Sequence, residues 1–401
     1  MKVKLGEYIR IMHGFAFKTE NYVDYSEYRL VTLGNFQEGG NCFKYNDSKA
    51  TYYGAEFPEK FILKSGDLIM PLTEQVIGLF GNSALVPEEI RFKFVLNQRV
   101  GKVEIIRDGI DLYYLHYLLA TTSVKNQLEA RASGTKQRNI SPDDVYDVTI
   151  DLPDYSIQKR IGKLLHNIEM KQEINNKINA ELESMAKTLY DSWFLQFEFP
   201  NEEGKPYKSS GGKMVYNKEL KREIPKGWEV KKVGDILEGA NKSKIQVNDA
   251  NEKGKYPFFT SGESVLAFDE YLVDGFNIFL NTGGNPDIKA YMGKCAYSTD
   301  TWCVSAKEFS YVLYYYFLKL MPQFEQLFFA GSGLKHLQKD SLKNQYILLP
   351  DDKTLKRFNN TCVLNWKKTT NCLIVNQELT SLRDFLLPLL MNGQVTFKEE
   401  S

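Results

Sequence analysis

Two kinds of apolar pattern alternate along this chain. One is a long helical stripe: between Tyr155 and Phe194, Ile161, Leu164, Ile168, Ile178, Leu182, Met185 and Leu189 recur at steps of three and four, with Lys171 and Asn175 on the same stripe. A seam sustained over several heptads marks a long helix packed against another helix. At 1.5 Å per residue, roughly 40 residues make a rod of about 60 Å. A second such stretch runs from Asp352 to Met391. Its seam holds Phe358, Val375, Leu379, Leu382 and Leu386, with weaker members at Thr361, Asn365, Lys368 and Cys372. Pro388 should end or kink this rod, and Asn392-Gly393 offers a C-terminal stop.

The other pattern is short and mixed. Arg29–Asn35, Lys60–Met70, Ala84–Val86 and Arg99–Ile105 read as strands between glycine turns. Leu112 to Gln127 has aromatic and aliphatic residues at helical spacing, and Val145–Leu152 reads as a last strand before the first rod. The block recurs. Lys232-Val-Gly-Asp-Ile-Leu237 echoes Lys4-Leu-Gly-Glu-Tyr-Ile9, and Phe309–Phe328 repeats the aromatic helix. Leu349-Pro350 then leads into the second rod as Leu152-Pro153 leads into the first.

The chain is therefore an internal duplication of mixed α/β blocks and long helices. The expected division is a mixed α/β block over 1–153, a first long helix over 154–199 and a connector over 200–227. A second block over 228–350 and a second long helix over 351–393 follow. The connector is rich in Gly, Ser, Lys and Glu and lacks apolar periodicity. An antiparallel pairing of the rods, centred on Asn175 and Val375, would bring Phe358 to the Ser192–Trp193 end. It would also put one block at each end of the pair.

Composition narrows the chemistry. Formal charge is zero and the pI is near 6.9, so any polyanion site must come from local patches. The longest apolar run, Tyr311–Met321, contains Lys319 and is too short to span a bilayer. The N-terminus lacks an apolar core of signal-peptide length. Five cysteines without Cys-x-x-Cys spacing suit a cytoplasmic protein, and no ligand spacing suggests zinc. No phosphate-binding Gly-x-x-x-x-Gly-Lys-Ser/Thr loop is present, and no catalytic constellation stands out. Phe329-Ala-Gly-Ser-Gly333 imitates a methyl-donor loop, but a helical segment precedes it and no Pro-Pro-Tyr/Phe motif accompanies it. It reads as a glycine turn.

Two polar loops are better candidates. Lys136, Gln137, Arg138 and Asn139 crowd hydrogen-bonding side chains behind a glycine turn, and Lys335, His336, Gln338, Lys339 and Lys343 do the same in the copy. Arg or Lys can read guanine, and Asn or Gln adenine, in the major groove. The loops after equivalent strands add Thr73 and Gln75 in the first block and Asn281 and Asn285 in the second. From composition alone, a solvated loop fits these segments as well as a DNA reader.

Gly14-Phe-Ala-Phe-Lys18, Lys64-Ser-Gly-Asp-Leu-Ile69, Ala132-Ser-Gly-Thr135 and Leu152-Pro153 before Gln158-Lys-Arg-Ile161 together resemble the target-recognition domain of type I restriction-modification specificity subunits. The connector Gly204–Met214 and Ile224-Pro-Lys-Gly-Trp228 fit the same family. The resemblance implies two target-recognition domains separated by an antiparallel two-helix coiled coil, reading a bipartite duplex DNA target with one half-site per domain. It implies no catalysis in this chain, two docked methyltransferase subunits and, in restriction-competent complexes, two translocase-nuclease subunits. S-adenosylmethionine and ATP would bind those partners. The second block departs from the pattern, with Leu334 in place of the loop threonine and Phe276-Asn277 where Gly-Asp would stand. A rod of about 60 Å would hold the half-sites within roughly 17 base pairs. The main alternative is a duplicated coiled-coil scaffold that joins protein partners without touching DNA. A self-sufficient methyltransferase would depend on the Phe329–Gly333 loop.

Overall fold

The computed structural model describes residues 2–36, 42–45, 47–75, 77–251, 254–262, 264–331, 333–395 and 397. The chain divides into two units. One comprises residues up to Glu173 with those from Asn376 onward, the other Ile174–Val375. Two long helices, Tyr155–Tyr190 and Asp352–Met391, each give one half to each unit.

In the first unit, an antiparallel sheet has the order Ile9–His13, Val100–Ile105, Leu68–Pro71, Ala84–Leu85. Strand Leu68–Pro71 is buried throughout because side chains alternate between its faces and both faces are covered. Leu68 and Met70 enter a core with Tyr114, Leu115 and Leu118, whereas Ile69 enters one with Phe61, Phe92 and Phe94. A second sheet orders Tyr22–Val23, Tyr52–Tyr53, Tyr28–Val31 and Lys93–Leu96, the last pair being parallel.

Two local expectations fail here. The helix over 112–127 is two helices, Leu112–Leu119 and Thr122–Arg131. Thr121 is extended, and its hydroxyl donates to the Leu118 carbonyl at 2.7 Å, which interrupts the first helix. The strand over 145–152 is a short helix, Pro142–Tyr146, followed by strand Thr149–Asp151 paired with Lys2–Lys4. Ser141 accepts from the Asp144 amide at 3.2 Å, so Ser141-Pro142-Asp-Asp144 is a capping box with proline at the first helical position.

The second unit repeats the scheme with Glu238–Gly239, Thr301–Ser305, Phe276–Asn281 and Ile288–Met292 as its main sheet. Glu229–Lys232 pairs with Tyr346–Leu349, as Lys2–Lys4 pairs with Thr149–Asp151. Helix Ser310–Phe328 buries an aromatic face in its core. The connector is structured, contrary to its composition. It holds the hairpin Met214–Asn217/Arg222–Pro225, and Phe199 stacks between Tyr207 and Trp228 at 4.5 and 5.0 Å. These aromatics lie too far apart in sequence to register as periodicity.

Within each unit the long-helix halves run antiparallel. In the first, the Gln172 amide donates to the Asn376 carbonyl at 3.1 Å and to Thr380 Oγ1 at 2.7 Å, while Ile161 and Leu165 share a core with Leu390. In the second, Phe358 meets Phe194 and Trp193 at 4.9 and 5.9 Å. The covered stripe is rephased relative to the sequence expectation. Ile161, Ile168 and Asn175 are buried as expected, and Leu182 and Leu189 are half-buried. Every second position moves by one residue, however. Leu165 replaces Leu164 as the fully buried member, Gln172 replaces the exposed Lys171, and Ala186 replaces Met185, which is 62% exposed. Ile178 shares its half-buried level with Asn179. The second helix shifts the same way. Phe358 and Cys372 are buried, Val375, Leu379 and Leu386 half-buried, and Leu382 is exposed while Arg383 is covered. Cys362 and Thr369 take the places of the exposed Thr361 and Lys368. The helix continues through Pro388 to Met391 and stops at Gly393 (φ 68°). There the Gln394 and Gly393 amides donate to the Leu389 and Leu390 carbonyls at 2.9 and 3.2 Å, a Schellman stop.

Candidate nucleic-acid interface

In each unit the polar loop is fastened to the loop that leaves the main sheet. In the first, Arg138–Asn139 pairs with Thr73–Glu74, and the Ile140 amide donates to the Leu72 carbonyl at 3.0 Å. In the second, His336 bridges Gly283, the Leu337 amide donates to the Thr282 carbonyl at 3.0 Å, and the Gly284 amide to the Lys335 carbonyl at 3.1 Å. The turn glycine equivalent to Gly134 is Gly331, not the Gly333 that the Ser-Gly-Thr comparison implied, because Ser133 bridges Asn139 as Ala330 pairs with His336. Gly134 (φ 108°) and Gly331 (φ 143°) adopt left-handed backbone, where a Cβ would lie 2.2 Å from the Gln137 carbonyl and 2.7 Å from the Leu334 carbonyl. The segment at 329–331 follows a helix directly and pairs back on His336–Leu337, so it is part of this clasp.

Each clasp has an inner and an outer set of side chains. Thr73 is buried and its hydroxyl donates to Asn139 Oδ1 at 2.8 Å; Gln137 Nε2 donates to the same oxygen at 3.4 Å. Arg138 turns inward. It pairs with Glu74 at 3.1 Å, donates to the Glu129 carbonyl at 3.1 Å and lies 5.7 Å from the Phe80 ring centroid. Glu74, 1% exposed, accepts through its other oxygen from the Leu79 and Phe80 amides at 2.9 and 3.2 Å. Asn281 is likewise buried, donating to the Ser261 and Asn285 carbonyls at 2.8 and 3.1 Å. Gln75, Lys136, Asn139, Asn285, Lys335, His336 and Gln338 remain exposed, Lys335 with an ion pair to Glu325 at 2.5 Å. Lys339 is exposed and Lys343 half-buried on the helix that follows the second loop. Sequence reasoning named Arg138 but missed Glu74, whose organising role depends on burial rather than on any local motif.

The family model described as the type I restriction modification DNA specificity domain matches residues 1–184 and again 225–361. The chain belongs to that specificity family. A type I restriction enzyme MjaIX specificity subunit from Methanocaldococcus jannaschii is 27% identical over 321 residues, covering 74% of this chain and 72% of the relative. The EcoDI specificity subunit of Escherichia coli is 25% identical over 181 residues, covering 43% and 40%. A solved type I restriction-modification S subunit from M. genitalium aligns over 100% of this chain and 96% of its own, with TM-score 0.58 and 15% identity, a likeness of fold. In both clasps the outer side chains are solvent-exposed hydrogen-bonding groups, and the inner ones are tied to neighbouring backbone and side chains. No helix of the described residues is long and apolar enough to cross a membrane, and among those residues no cluster of His, Cys, Asp or Glu could hold a metal ion.

Proposed function

We propose that this specificity subunit reads a bipartite duplex DNA target, one half-site per unit, and docks two methyltransferase subunits. The observation that supports this reading is the repeated clasp: both units fasten the same two loops together and leave hydrogen-bonding side chains outside. Gln75, Lys136, Gln137 and Asn139 would meet one half-site; Asn285, Lys335, His336 and Gln338 would meet the other. Thr73, Arg138 and Asn281 hold these groups rather than touching bases. The chain itself is non-catalytic. S-adenosylmethionine would bind the methyltransferase subunits, and ATP the two translocase-nuclease subunits where these are present, in the cytoplasm.

The test is duplex binding by the chain co-purified with its methyltransferase. Binding should be salt-sensitive and should prefer the motif methylated in the host over a scrambled duplex by about 10³-fold or more. Equal affinity for both duplexes would contradict the reading.

A further inference from the structure

Resting on the DNA-reading assignment, we infer that Lys242, Lys339 and Lys343, gathered around Trp302, form a backbone-phosphate clamp in the second unit that has no counterpart in the first. Lys339 and Lys343 place their ammonium groups 4.7 and 5.9 Å from the Trp302 ring centroid. Lys242 joins Lys339, Trp302, Thr282 and Thr299 in lining a cleft of about 280 Å³. Asp300 also lines this cleft, yet among the described residues none of the three lysines forms an ion pair with a carboxylate. Partial burial, and then Lys343 and Lys242 themselves, make Lys339 easier to deprotonate than an ordinary lysine. Three like charges whose only internal attraction among the described residues is the Trp302 ring face, with no carboxylate to neutralise them, repel one another, and an external anion relieves that repulsion.

The cleft adjoins the candidate reading surface. Thr282 belongs to the loop after strand Phe276–Asn281 and accepts from the Leu337 amide, and Gln338 directly precedes Lys339. Strand register allows comparison with the first unit. Val304 pairs with Gly239 and Ile278 as Val103 pairs with Ile11 and Leu68. The short helices align on their buried Leu342 and Val145. Lys242, Trp302, Lys339 and Lys343 then correspond to Gly14, Gly101, Pro142 and Tyr146, none of them charged. The shared fold does not require the lysines, so the cluster is an addition to the second copy. Separate ammonium point charges suit successive phosphate oxygens, and continuity with the clasp favours DNA over an acidic protein surface.

The experiment measures binding of the full chain, with its methyltransferase, to a duplex bearing its methylated motif between 50 and 200 mM salt. Replacing the three lysines with glutamine keeps aliphatic stems over Trp302. It should reduce the slope of log affinity against log salt by about 0.9 per lost contact, about 1.8–2.7 in all. The affinity lost between 50 and 200 mM salt then shrinks by roughly 10- to 40-fold relative to the unaltered complex. Arginine at all three positions should preserve the slope, as should glutamine at the exposed connector residues Lys208, Lys218 and Lys226. An unchanged slope in the glutamine variant, while the unaltered complex binds selectively, overturns the clamp. Release of the methyltransferase with the slope intact also overturns it, assigning the cluster to an acidic protein surface. Failure of the unaltered complex to bind selectively overturns the DNA-reading assignment instead.

Discussion

Glu74 shows how a single buried carboxylate can shape a surface loop. One oxygen holds two amides of the loop after strand Thr73–Glu74, and the other faces Arg138. Glu74→Ala should destabilise the first unit by about 2–4 kcal/mol in urea unfolding, because it leaves a partly buried guanidinium without its partner. Arg138 is thus readable in sequence as a polar loop residue but not as an inward-facing one, since the direction of a side chain depends on a partner 64 positions away. Glu169 gives a second residue-scale prediction. Burial alone would raise its pKa, but His116, Tyr117 and Cys42 outweigh this and hold it below the ordinary carboxylate range. A lowered folded-state pKa contributes stability above the unfolded value near 4.3, and that stability is lost as pH falls through the folded value. The first unit should therefore lose stability below about pH 4.3, and Glu169→Gln should flatten this dependence. Equal acid sensitivity in the variant would contradict the assignment.

At the scale of elements, both long helices and the stopping point of the second were legible because apolar spacing and Asn392-Gly393 are local signals. The first, expected to reach 199, ends as an α-helix at Tyr190 and closes in a π turn over Asp191–Leu195. The phase of the seam was not legible. Leu164 and Leu165 are adjacent and equally apolar, and the choice between Met185 and Ala186 depends on how closely the partner helix approaches. The covered stripe includes Gln172, Asn175 and Asn376, which hydropathy alone assigns to solvent. Two substitutions distinguish the phases in thermal or urea unfolding. Met185→Ala should change stability by no more than about 0.5 kcal/mol. Ala186→Leu should cost about 1–3 kcal/mol by overpacking. The reverse order would restore the phase read from sequence. Phe358, fully buried against Phe194, Trp193 and Tyr190, anchors the second unit. Its replacement by alanine should cost about 3–5 kcal/mol in the unfolding transition of that unit.

At the scale of the whole chain, duplication was the most readable property and its divergence the least. The two copies keep the same strand pairings, the same turn glycine and the same clasp. They differ in what the clasp displays, including a lysine cluster whose members are scattered between positions 242 and 343 and are gathered only by the fold. A common scaffold carrying unlike side chains suits a target with two unlike halves. The most direct measurement is long-read methylome sequencing of cells carrying this subunit and its methyltransferase, with one clasp altered at a time. Lys136→Ala with Gln137→Ala should change or relax one half of the methylated motif only, and Asn285→Ala with Gln338→Ala should change the other half only. If both pairs altered the same half, or either pair altered both, the assignment of one half-site to each unit would be contradicted.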